Sequence, residues 1–312
     1  MADIRFFMSD GYDRLSRNRI LMFFMAPIML VLFQYVLGMG IQYVMIGIMT
    51  SFFHMGWDEA ANHSYTWISA FGVPLATVSM IITMLAASSR SVIRGNGGFH
   101  FLPDDVVDGD RRKRILGAFR SLLSGAFIGI IMWMVLTILV NALYAIGIDV
   151  SGSSSTTKSV TQSMMGVVGL STSHGFTMTS GIITLAFSAV LSPIVEEMFF
   201  RGFLGRSIVE SPLMRRKDHS RSVPATIMVC ILSGLWFGLG HINTADSMRK
   251  MVFTALWMLF MGALYTWLAT IHQGGLLLTA SAHITYNVIT LTSVFMFPSQ
   301  LGVMMMPFIV LH

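Results

Sequence analysis

The sequence predicts an all-α protein, a polytopic transmembrane helical bundle of seven or eight spans. Hydrophobic residues make up 54% of the chain and charged residues 11%, against about 25% charged in a typical soluble domain. Several apolar runs reach the roughly 20 residues that cross a bilayer. The basic residues gather in a few connecting segments, as the positive-inside rule requires.

Residues 1–19, MADIRFFMSDGYDRLSRNR, are of mixed charge, with no small-residue cleavage site after the apolar run that follows. They read as a cytoplasmic lead-in to a retained first helix, not as a removed signal peptide. The first span is expected at 20–49, the second at 67–87 (WISAFGVPLATVSMIITMLAA) and the third at 115–147, from ILGAF to YAIG. Together, 20–177 form an N-terminal group of transmembrane helices without a chemical motif. A core at 178–297 contributes spans at 178–208, 223–241, 250–271 and 276–297. The tail at 298–312, ending LGVMMMPFIVLH, is short for a crossing and reads as a half-helix or the start of an eighth span.

Charge orients these spans. Of the 20 Lys and Arg, only Lys158, Arg249 and Lys250 fall outside one set of segments: the N-terminus, the connection before span three, and the end of span four with the loop after it. That places the N-terminus in the cytoplasm of a multi-pass protein, with the plasma membrane as the expected location. The loop at 51–66 has Asp58 and Glu59 but no Lys or Arg, as an outer loop should. SGSSSTTKS at 151–159 reads as a flexible outer linker. The net charge of +5 is explained by orientation, so no nucleic-acid partner is expected. Cys230, the single cysteine, excludes an internal disulfide. The methionines spread over every span and need no metal to explain them.

The segment VEEMFFRG, from Val195 to Gly202, breaks the apolar pattern. A charge at the centre of a spanning helix costs about 2.5–3.5 kcal/mol on insertion scales, so it must be paired, hydrated or useful. Glu197 and Arg201 are four apart and share a helical face, glutamate first, which is the better order for a pair. Glu196 lies about 100° round the helix and needs another role. Two further polar pairs follow at the same spacing, Phe237 with His241 in WFGLGH, and His283 with Asn287 in SAHITYN. Polar faces on three helices must turn inward, away from lipid. The expected product is a buried, hydrated cavity. There Glu196 would act as general base on water, with His241 orienting that water or sharing its proton. His283 and Asn287 carry N–H donors for a developing oxyanion, a stabilisation of roughly 3–4 kcal/mol per donor. Phe237 would pack beside the site and limit water.

The ordered set EExxxR (Glu196, Glu197, Arg201), FxxxH (Phe237, His241) and HxxxN (His283, Asn287) resembles the CPBP family, the CAAX-processing and bacteriocin-processing intramembrane proteases also called Abi. The resemblance covers roughly 178–297. It implies a glutamate-dependent intramembrane endopeptidase with no cofactor, acting on a membrane-embedded or lipidated peptide or protein. It carries over Glu196 as the water-activating base, His241 as its partner, His283 and Asn287 as oxyanion stabilisers, and Glu197 with Arg201 as the supporting pair.

Two other classes compete. Glu196, His241 and His283 would make a two-histidine, one-carboxylate zinc site, although no HExxH is present. A transporter or non-catalytic scaffold would also keep charges at mid-membrane depth, but no internal repeat supports a carrier. Depth sets a geometric demand. At 1.5 Å per residue, His241 lies about 27 Å from the expected span-five start at 223, Glu196 about 18 Å from the span-four end at 208 and His283 about 10 Å from the span-seven start at 276. Tilted or broken helices must bring them level.

Overall fold

Long unbroken helices arise here because apolar runs satisfy every backbone group within the segment, as lipid demands. The computed structural model describes residues 12–61, 64, 72–87, 101–102, 110–150, 186–206, 222–241, 247–270 and 274–296, and contains helix without strand among them. We label the helices α1 (Tyr12–Phe52), α2 (Gly72–Ala87), α3 (Arg111–Ala145), α4 (187–206), α5 (Val223–Gly240), α6 (Met248–Thr270) and α7 (Gly275–Met296). The linker at 151–159, the tail at 298–312 and the first turn expected for span two at 67–71 lie outside the described residues.

The protein is all-helical, and the apolar helices make it an integral membrane protein. Among the described residues, four stretches are long and apolar enough to cross a membrane unaided: Phe23–Phe52, Arg111–Ala145, Val223–Gly240 and Met248–Thr270. The sequence count was seven or eight. The remaining helices fall short for distinct reasons. α2 has 16 described residues. α4 is broken into short pieces and carries Glu196, Glu197 and Arg201. α7 is long, but polar residues from Thr279 through Asn287 interrupt its apolar surface. The helices that miss the criterion include the two richest in polar motif residues.

α1 spans 41 residues, about 60 Å at helical rise, and so exceeds the roughly 30 Å hydrocarbon layer. α3 opens on Asp110, whose carboxylate accepts from the Lys113 amide at 2.8 Å and caps one of the orphan donors of the first turn. Arg111, Arg112, Lys113 and Arg114 follow, all exposed.

Glycines fix the helix pairs. Gly125 and Gly129 on α3 lie against α7: a Cβ on Gly125 would sit 2.3 Å from the Leu278 carbonyl, and one on Gly129 2.4 Å from that of Ala282. Contacts that advance together on both helices mean that α3 and α7 run parallel. Gly234 and Gly238 on α5 face α6, where a Cβ would sit 2.4 Å from the Leu259 carbonyl and 2.6 Å from that of Ala255. There the numbers run oppositely, so α5 and α6 are antiparallel. Both seams are GxxxG-type crossings, in which small residues let backbones approach in lipid. Ser281 Oγ adds a hydrogen bond of 2.7 Å to the Leu122 carbonyl across the α3–α7 seam.

Two apolar clusters result. One joins Phe23 and Ala26 of α1, Met80 and Met84 of α2, Phe199, Phe200 and Phe203 of α4, and Val229 and Phe237 of α5. The other joins Met132 and Leu136 of α3, Met261 and Tyr265 of α6, and Ala282 and Tyr286 of α7. α4 therefore presents its charged turn where the two clusters meet.

Gly234→Leu should lower the thermal unfolding midpoint in detergent, with a destabilisation of about 1–3 kcal/mol or more from overpacking. Gly40→Ala on α1, where a Cβ meets nothing within 4 Å, should leave the midpoint unchanged or raised. Equal melting of the two variants would contradict the close α5–α6 crossing.

Candidate active site

The helix that carries the glutamates changes its winding twice. Phe187–Leu191 is π-helical, Ser192–Glu197 is α-helical and Met198–Arg206 is π-helical again. Pro193 stands in the first turn of the α-helical piece, where its missing N–H is tolerated. Wider π turns leave carbonyls for side chains to satisfy. Ser233 Oγ of α5 donates to the Phe200 carbonyl at 3.2 Å. The Thr266 hydroxyl of α6 lies 3.0 Å from Ser233 Oγ and 2.8 Å from its own Gly262 carbonyl. Asn287 Nδ2 of α7 donates to the Ser188 carbonyl at 3.1 Å. Two neighbouring helices, α5 and α7, thus bond the irregular helix directly, with α6 backing Ser233.

Glu197 and Arg201 form the expected ion pair, Nη1 to Oε1 at 3.2 Å, with both side chains fully buried. The guanidinium lies among aromatic rings, with Cζ 4.5 Å from the centroid of Phe237, 5.5 Å from Tyr265 and 5.8 Å from Phe200. Such faces attract a cation, by about 2 kcal/mol or more when desolvated. Phe237 is 1% exposed and is the hub of the site. Its ring packs on Phe200 at 5.2 Å, on His241 at 4.7 Å and on His283 at 5.8 Å.

His283 stands between the two glutamates. Its Nδ1 is 3.0 Å from Glu197 Oε1 and its Nε2 is 3.8 Å from Glu196 Oε2. A carboxylate ionised by Arg201 only accepts, so Nδ1 carries a hydrogen and donates to Glu197. Glu196 differs from its neighbour. Its side chain is 15% exposed, where Glu197 is sealed. Its Oε1 accepts from Ser192 Oγ at 2.7 Å, and its Oε2 makes no hydrogen bond to protein.

His241 caps the C-terminus of α5, with Nδ1 donating to the Phe237 carbonyl at 2.8 Å. The depth conflict between Glu196, His241 and His283 closes through these contacts. Phe237 joins the end of α5 to the middle of α7, its ring tilted against His241 and edge-on to His283. Asn287 lies one turn beyond His283, on the Ser188 carbonyl. The histidine that directly faces both carboxylates is His283; His241 joins through Phe237. Among the described residues, no three His, Cys, Asp or Glu side chains gather in an arrangement that would hold a metal ion.

Three contributors were not read from the sequence. Ser192 sits four residues before Glu196, the same spacing that revealed the Glu197–Arg201 pair, and was open to the same argument. The GxxxG pairs at 125–129 and 234–238 were visible too. Tyr265, wholly buried beside Arg201 and 6.0 Å from the His283 ring, left no local signal.

Residues 178–289 match the family model described as Rce1-like, type II CAAX prenyl endopeptidase. The chain carries an Rce1-like domain. Comparison with curated proteins and with solved structures gives no match. Glu196, Glu197, Arg201, Phe237, His241, His283 and Asn287 all lie inside the matched stretch, whose family is one of CAAX-type intramembrane proteases. Helices α1 to α3 lie outside it and supply its packing walls.

Arg201→Ala leaves Glu197 buried without its counter-charge and should cost about 3–5 kcal/mol, seen as lost yield and a lower unfolding midpoint. Arg201→Lys should recover only part, because a compact ammonium does not reproduce the flat guanidinium between the rings. Adding Glu197→Gln to Arg201→Ala should restore some stability in a double-mutant cycle. Additive losses would count against the pair.

Proposed function

We propose that the chain is an intramembrane endopeptidase that hydrolyses a peptide bond of a membrane-associated or lipid-modified substrate with water activated by Glu196. The observation that carries this reading is the division between the glutamates. Glu197 is fully buried against Arg201 and His283, while the Glu196 side chain is 15% exposed and is held by Ser192. That difference supports Glu196 as the one that meets water.

In the proposed reaction, Glu196 takes a proton from water and the hydroxide attacks the scissile carbonyl. His241, held through Nδ1, presents Nε2 as an acceptor that orients this water. The tetrahedral oxyanion is met by the second amide hydrogen of Asn287, the first being on Ser188, and by His283 when its Nε2 is protonated. Glu196 then returns the proton to the departing nitrogen. An apolar surround excludes bulk water and strengthens each of these interactions. A prenylated C-terminal peptide fits the chemistry of the family match, and an unmodified transmembrane peptide is the second substrate class. We place the protein in the plasma membrane with its N-terminus in the cytoplasm, on the strength of the Lys and Arg distribution.

The assignment includes no metal. A zinc reading would put Glu196 and the Nε2 atoms of His241 and His283 on one ion, with the Nδ1 hydrogens on a backbone carbonyl and on Glu197, so chelation is the arm that separates the two mechanisms.

The test is cleavage of a quenched farnesylated CAAX peptide, and of its unprenylated counterpart, by protein reconstituted in proteoliposomes. Glu196→Gln should lose about 10²–10⁴-fold in rate while inserting and unfolding like the wild type, and chelation should leave wild-type cleavage intact. Wild-type cleavage by Glu196→Gln would sink the glutamate mechanism. Stoichiometric zinc, with activity lost on chelation, would replace it by the metal one.

A further inference from the structure

A serine inside a helix ordinarily returns its hydroxyl to the carbonyl three or four residues back. For Ser192 the carbonyl four back is that of Ser188, and Asn287 Nδ2 already donates to it at 3.1 Å. Local chemistry explains why that carbonyl recruits a side chain from another helix. In a π turn the donor comes from five residues on, which for Ser188 is Pro193, and proline has no N–H. With Ser188 engaged by α7, the Ser192 hydroxyl points forward and donates to Glu196 Oε1 at 2.7 Å.

The winding of α4 makes this contact possible. Ser192 and Glu196 both lie in the single α-helical piece, Ser192–Glu197, between the two π segments. Four residues at α-helical pitch stack two side chains on one face; a π turn carried through the piece would rotate them apart. Ser192 is buried, at 3% exposure, so water competes poorly for its hydroxyl. A hydroxyl has one hydrogen to give, and here it goes to the carboxylate. Holding Oε1 turns Oε2 toward His283 Nε2, 3.8 Å away.

We propose that Ser192 is a positioning residue for Glu196: its hydroxyl holds Oε1 and fixes the rotation of the carboxylate with Oε2 toward His283, the orientation in which Glu196 acts as base. The inference rests on the reading of Glu196 as general base. The last torsion of a glutamate is broad and roughly two-fold. Without the serine, the productive orientation becomes one of several, while substrate contacts elsewhere are unaffected. The loss belongs in kcat and not in KM.

The experiment measures kcat and KM for the farnesylated CAAX peptide with wild type, Ser192→Ala, Ser192→Thr and Glu196→Gln, alongside unfolding midpoints in detergent. Ser192→Ala should lose about 10- to 100-fold in kcat with KM and midpoint unchanged. Ser192→Thr, which keeps a hydroxyl at the same atom, should restore most of the rate. A wild-type kcat in Ser192→Ala overturns the inference, as does a loss no larger than its loss of folded protein. Glu196→Gln separates the two ideas. If it is inactive while Ser192→Ala is fully active, Ser192 alone loses its role. If Glu196→Gln cleaves normally, the general-base reading fails, and the inference with it.

Discussion

Glu197 and Arg201 are sealed from solvent on a helix of a membrane-spanning bundle, so neither has water to fall back on. Each depends on the other, and together they recruit the rest of the site. The guanidinium takes three aromatic faces, from α4, α5 and α6. The carboxylate takes His283 from α7. One buried pair therefore ties four helices to one point. A buried ion pair is weak grounds for stability in itself, because desolvation offsets much of the attraction. Its stronger effect is specificity: alternative rotations of α4 would strand a charge in apolar surroundings, and so are suppressed.

The pair also sets the geometry of the neighbouring glutamate. Consecutive residues on an α-helical turn point about 100° apart. Once Glu197 faces Arg201 and His283, Glu196 is directed to the side where Ser192 and the outer edge of the imidazole stand. Nothing further is needed to make two identical side chains differ. Adjacent carboxylates take opposite roles because one helix cannot aim both at the same cation.

How much of this was legible in the sequence depended on whether a residue's partner was local. Glu197 with Arg201 was readable because four residues at helical pitch is a contact rule, and the three inward polar faces were readable because lipid leaves them no other direction. The all-helical class followed from composition. What was not readable came from across the bundle. No spacing rule says that His283 faces both glutamates while His241 reaches them through Phe237, or that Tyr265 closes the aromatic surround. The depth conflict was an artefact of treating α4 as a regular helix and of measuring from span ends. Its π turns, and the placement of His241 at the very end of α5, are settled by packing. The span count rested on length, which admits α4 and α7; by length and apolarity together, four stretches among the described residues could cross lipid unaided.

Irregular winding in α4 has a physical logic that joins fold to chemistry. A regular helix consumes its own carbonyls and offers neighbours only side chains. Two π segments release carbonyls at Ser188 and Phe200, which Asn287 and Ser233 then take. These backbone bonds clamp α4 from opposite sides, from α7 before the glutamates and from α5 after them. Between the clamps lies one α-helical piece, and it holds both glutamates. The helix is therefore held through its backbone on either side of the reactive turn. That leaves the side chains of the turn to be oriented by charge, aromatic faces and a single hydroxyl.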